Sequence, residues 1–172
     1  MTAEQIAQSR RKKDQFFKAS AQSPLDDVQK SAFTSLNYFD FNPELVLEVL
    51  PERFSDDDTA QVITTQNTIR NYQRYGRFTF VVDGQPVALT IYKTPHGYFL
   101  PFVDASDETY PAGRYLDLAE PGADGIFDVD FNQAYNPYCA YSDRYDCPIT
   151  PQENRLTVPI HAGEKLFSVE SD

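Results

Sequence analysis

Tryptophan is absent from this chain of 172 residues, and histidine and cysteine occur only twice each. Each scarcity excludes something. Cys139 and Cys147 are separated by seven residues, not the two to four of zinc knuckles, and the two histidines, His96 and His161, lie far apart in sequence. Two thiolates with His161 or Glu153 would need the fold to assemble them, so no metal site is expected. Glycine is sparse, at 7 residues. There is no Walker loop and no Gly-x-Gly-x-x-Gly, so backbone cradles for phosphate are lacking. No apolar run approaches the ~20 residues of a membrane span. The opening Met1-Thr2-Ala3-Glu4-Gln5 lacks a charged-then-apolar leader pattern, and the chain is expected to be soluble and cytoplasmic, with both cysteines as thiols. Positive charge is also short. The formal net charge is −11, which disfavours nucleic acids and anionic membranes as partners. The dense basic run Arg10-Arg11-Lys12-Lys13 reads as the solvated face of a helix. The acidic excess also suits a halophilic or solubility-driven surface.

Aromatic residues are abundant, with 13 Phe and 11 Tyr. Flat rings fit pleated, half-buried surfaces and favour a β-rich core. The expected organisation is one domain over 1–172, with a helical cap over 1–36 and a β core over 43–165. Residues 3–20 read as a helix. A second begins with Ser23 as N-cap and Pro24 at the first helical position, its apolar face formed by Leu25, Val28, Ala32 and Leu36. From Pro43 the period changes to two. A hairpin joins Arg77–Val82 to Gln85–Tyr92, because Asp83-Gly84 between alternating runs suits a type I′ turn. Further strands are expected near 60–65 and over 98–103, 113–118, 126–132 and 156–161. Pro101 and Pro159 mark edges or bulges. About seven to eight short strands indicate an all-β antiparallel sandwich or barrel.

Residues 130–156 hold both cysteines, several tyrosines and many short polar residues. In the strand ending at Asn132, Phe127, Val129 and Phe131 should face the core, leaving Asp128, Asp130 and Asn132 opposite. Paired carboxylates on one face can bind a cation or act as bases. Cysteine nucleophilic catalysis would need a positive field from Arg144 or Arg155 and a base such as His161, but no nucleophile elbow follows either cysteine. Aromatic walls with a few converging polar groups are also what a small-molecule pocket requires.

Several blocks are similar to one family. They include Arg11–Phe17, Ser23–Leu25, Tyr75–Phe78, Glu108–Tyr110, Gly113–Leu118 and Asp130–Asn132. The most specific are Tyr135-Asn136-Pro137-Tyr138-Cys139-Ala140-Tyr141, Cys147-Pro148 with Pro151, Glu153-Asn154 and Ala162-Gly163-Glu164-Lys165. Together they resemble the bacterial and archaeal family catalogued as domain of unknown function 1684. That family has no established activity, so the resemblance names neither a reaction nor a cofactor.

The leading expectation is a small polar or aromatic ligand bound beside the 130–156 segment. Arg114 would pair an anionic group, with Asn136, Tyr141 and Glu153 orienting the ligand. Asp130, Asn132, Tyr138, Cys139, Cys147 and Asn154 complete the candidate set. The alternatives are a thiol-dependent or hydrolytic enzyme centred on Cys139 and Cys147, and a structural or protein-interaction domain.

Overall fold

The computed structural model describes residues 1–168, in which two short helices precede eight antiparallel strands. Helix α1 (Ala3–Ala19) starts at a reciprocal capping box between Thr2 and Gln5, with Glu4 in its first turn and Lys18 in its last. Its basic run is not simply solvated. Arg10 Nη1 donates to the Phe39 carbonyl at 2.9 Å, and Lys13 Nζ reaches the buried Glu164 carboxylate at 3.0 Å.

Helix α2 (Asp27–Ala32) begins later than Ser23 suggests. Asp26 is the N-cap and forms a capping box with Gln29, a better pair of partners for the free amides than Ser23 can offer. Ser23 Oγ instead donates to Phe17 O and accepts from Leu25 N. Leu25 and Leu36 are buried outside the helix, whereas Val28, assigned above to the apolar face, is 78% exposed. Phe17, Leu25, Phe33 and Leu36 pack with Tyr141 into a small cluster under the helical cap.

The strands are β1 (Val46–Val49), β2 (Glu52–Arg53), β3 (Thr59–Ile63), β4 (Ile69–Val82), β5 (Gln85–Thr94), β6 (Gly97–Phe102), β7 (Arg114–Leu118) and β8 (Phe127–Asp130). The main sheet runs β2-β4-β5-β6-β7, with β3 pairing the other half of the same β4 edge. The β4–β5 hairpin turns at Asp83-Gly84, both with positive φ (49° and 77°), as a type I′ turn demands. Strands β1 and β8 form a separate two-stranded ribbon.

The main core joins the inner sheet face, including Phe78, Phe80, Leu89, Ile91 and Leu100, to Val49, Phe127 and Val129 of the ribbon and to Phe131 just after it. Val158, Ile160 and Ala162 complete it. The fold is thus mostly antiparallel β, but two expectations change. The sheet does not close into a barrel, and its second layer is a two-stranded ribbon plus coil. Residues 156–161 form no strand. Pro159 removes a donor, Ile160 N is satisfied by the Asp104 carboxylate at 2.7 Å, and the Ile160 and Ala162 carbonyls are taken by Arg114.

One irregularity decides which side chains face outward. In β4, Arg74 pairs Tyr92 but Gly76 pairs Ile91, so Tyr75 is an extra residue. A bulge of this kind reverses the alternation along the strand. Phe78, Phe80 and Val82 face the main core, while the even-numbered Tyr72 lies on the opposite face with Tyr92, Phe99 and Tyr115.

Candidate functional site

The ten candidate residues occupy four separate places. Arg114 is fully buried in the first. Its Nη1 donates to the carbonyls of Ala162 and Glu164, and its Nη2 to that of Ile160, beside Asp104 at 3.4 Å. Burial pushes the guanidinium down from its ordinary value, with Asp104 opposing the shift. Nearby, the fully buried Glu164 accepts from Tyr141 Oη, Lys13 Nζ and Asn136 N, and Asn136 Nδ2 donates to Lys165 O. Tyr141 is raised strongly by burial and then by the Glu164 charge. These groups hold residues 160–165 against the sheet. Gly163 is part of that contact: at φ +77°, an added Cβ would sit 2.7 Å from Ala134 O.

Asp130 and Asn132 form the second place. Asp130 Oδ1 accepts from both the backbone N and the Nδ2 of Asn132, each at 2.9 Å, capping the 3-10 turn over Phe131–Gln133. Asn132 in turn exchanges two hydrogen bonds with the Asn42 backbone. Asp128 faces solvent.

In the third, Cys139 and Cys147 are joined as a disulfide, which corrects the expectation of two thiols. Their Cα atoms lie 6.4 Å apart, within bridging range. Neither sulfur is a thiolate nucleophile in this state. Tyr138 packs edge-on against Phe17 and at 5.1 Å from Tyr145.

Glu153 and Asn154 make the fourth. The Asn154 amide stands in for a missing strand partner where β5 and β6 diverge: it accepts from Thr90 N and donates to Thr90 O and Pro101 O, each at 2.8 Å. Glu153 receives Arg74 through two nitrogens, at 3.0 and 2.6 Å, and also accepts from Tyr92 Oη. Arg74 holds the Glu153 carboxyl below its ordinary value. Arg114, Asn136, Cys139 and Glu153 therefore do not converge on one concavity.

A different set of side chains does converge. On the outer sheet face, a trough of about 500 Å³ is lined by Tyr72, Phe99, Tyr115 and Tyr135, with Arg70, His96 and Asp117 among its polar neighbours. The rings form an edge-to-face chain, with centroids 6.1 Å apart for Tyr72–Phe99, 4.8 Å for Phe99–Tyr115 and 5.9 Å for Tyr115–Tyr135. Strand β7 supplies Tyr115 and Asp117 on alternate positions, both turned away from the main core.

The 130–156 segment builds one side of this trough. Tyr135 and Tyr115 exchange backbone hydrogen bonds of 2.8 and 3.0 Å, so the segment covers the outer edge of β7. Tyr115 Oη donates to Pro148 O, Tyr135 Oη donates to Asp117 Oδ2 at 2.7 Å, and Arg70 Nη2 donates to Asp146 O at 3.2 Å. Tyr115 and Tyr135 are both pushed up by burial, Tyr135 also by Asp117. Tyr115 and Asp117 sit inside a block that carries the family resemblance. Their i, i+2 spacing opposite Leu116 and Leu118 was the available signal.

Among the described residues, no group of three or more His, Cys, Asp or Glu side chains is placed to hold a metal ion, and no helix is long and apolar enough to cross a membrane.

A solution NMR structure of an uncharacterized protein from Haloarcula marismortui is similar over 94% of this chain and 92% of its own, with 31% identity and a TM-score of 0.68. No curated protein matches. The family model described as "Protein of unknown function (DUF1684)" matches residues 31–165, a span that takes in every strand, and the chain belongs to that family.

Proposed function

We propose that this protein binds a small polar or aromatic ligand in the outer-face trough, walled on one side by Tyr135 and Pro148 of the 130–156 segment. The observation that supports this reading is the trough itself. Its volume of about 500 Å³ lies in the range of small-molecule sites, and it pairs aromatic walls with a few polar groups. The Tyr115 and Tyr135 hydroxyls are already engaged with partners inside the protein, which fixes the rings in place before any ligand arrives. Arg114 takes no part in binding, because its guanidinium is enclosed by carbonyls of 160–164.

The test is a titration of ¹⁵N-labelled protein with small fragments such as phenol, indole and choline. Shifts should concentrate on amides of Gly97, Phe99, Tyr115 and Asp117 and be lost on Thr94→Trp, which fills the trough from its rim. Fragments that bind only elsewhere would overturn the reading.

A further inference from the structure

The trough combines four aromatic side chains with one carboxylate that lacks a basic partner. Asp117 is exposed and accepts a single side-chain hydrogen bond, from Tyr135 Oη; among the described residues no Lys or Arg pairs with it. The lining also holds the basic side chain Arg70, whose charge is turned to Asp146: Nη2 lies 3.2 Å from its carbonyl and 3.6 Å from its carboxylate. His96 stands at the exposed rim.

We propose that the occupant of the trough is a soft organic cation, a quaternary or methylated ammonium group, held by the faces of Tyr72, Phe99, Tyr115 and Tyr135 with Asp117 as its counter-charge. The inference rests on the ligand-binding reading above and names its chemical class.

First, successive rings lie at 74° to 89° to one another, so rings of differing orientation border the trough. Aromatic faces carry negative potential, and several of them around one site favour a weakly hydrated cation over a neutral group of the same shape. Second, Tyr135 already carries an ammonium group, Lys13 Nζ at 5.3 Å from its ring centre and paired with Glu164, whereas among the described residues no Lys or Arg stands over Tyr72, Phe99 or Tyr115. Third, a net charge of −11 attracts cations to the surface and repels anions. An anionic ligand would need Arg70 released from Asp146 and would meet Asp117.

The experiment compares choline with 3,3-dimethylbutan-1-ol, which replaces the ammonium nitrogen by carbon, and with benzoate as an anionic aromatic. Each is titrated into ¹⁵N-labelled protein at low and high sodium chloride. Choline should bind about five- to tenfold more tightly than the neutral isostere, an advantage that shrinks as salt screens the charge. Asp117→Asn should remove most of that advantage at an unchanged melting temperature, and Arg70→Gln should increase it by relieving repulsion at the rim. Equal binding of choline and its isostere, or preference for benzoate, would overturn the cation class while leaving a ligand site in place. If choline, its isostere, benzoate, phenol and indole all leave the trough amides unmoved, the ligand-binding reading fails together with this one.

Discussion

Strand β7 presents two charges to two very different surroundings. Arg114, on its inner face, is enclosed by three backbone carbonyls and Asp104, with only Nε lacking an acceptor. Asp117, on its outer face three residues later, is exposed and has one phenolic partner. A buried charge survives when most of its hydrogen bonds are satisfied, and the backbone that satisfies those of Arg114 also encloses it. An exposed charge beside a fixed aromatic wall keeps its capacity. The inner charge therefore organises the chain, and the outer one is placed to meet something else.

The comparison can be broken first at Arg114. Arg114→Met leaves buried Asp104 without its counter-charge and the Ala162 and Glu164 carbonyls without a donor, and should cost about 3–5 kcal/mol of stability in denaturant unfolding. A loss under about 1 kcal/mol would mean that the inner face does not depend on this charge.

Asn154→Ala should cost about 2–3 kcal/mol, because Thr90 and Pro101 lose partners inside the sheet. Replacing Cys139 and Cys147 together by Ser opens a loop with a sequence separation of 8 and should cost roughly 2–3 kcal/mol on chain-entropy grounds. Alkylation and mass analysis of unreduced protein should find no free thiol; two alkylated cysteines would remove the disulfide. Because Cys147 adjoins Pro148, the acceptor of Tyr115 Oη, this variant should also weaken fragment binding in the trough.

Acidification probes Glu153. Arg74, followed by Tyr92, holds its folded-state carboxyl below the ordinary 4.5. A depressed carboxyl contributes stability above its unfolded value and loses it as pH falls through the folded one. The stability gap between wild type and Glu153→Gln should therefore be full above about pH 4.5 and close below it. It should stay under about 1 kcal/mol, since the pair is only partly buried and is screened. A gap that widens on acidification would reverse the assignment. The smallest stability effect belongs to Asp117→Asn, within about 0.5 kcal/mol. A larger loss would make the outer charge structural too and erase the contrast.

Local patterns were legible where the chain reports on itself. The 3–20 helix, the Asp83-Gly84 hairpin and the inward Phe127, Val129 and Phe131 all follow from caps, turn chemistry or alternation, and the structure shows each of them. The start of α2 was misread because Asp26 with Gln29 competes with Ser23, a choice decided by two reciprocal bonds against one. The polar residues of 130–156 were rightly singled out as unusual. Their partners, however, are distant: Tyr92 lies 61 positions from Glu153, Thr90 lies 64 from Asn154, and Glu164 lies 23 from Tyr141. No spacing rule links such pairs.

The sequence by itself determined the antiparallel β character and the family, because these rest on periodicity, turn residues and contiguous motifs. Only the tertiary structure decided which side chains share a surface. The extra residue at Tyr75 turns Tyr72 outward, strand register sets Asp117 beside Phe99, and the Tyr115–Tyr135 pairing brings in the fourth ring. Each is a relation between segments, and the alternation within one strand cannot encode where its neighbour will lie.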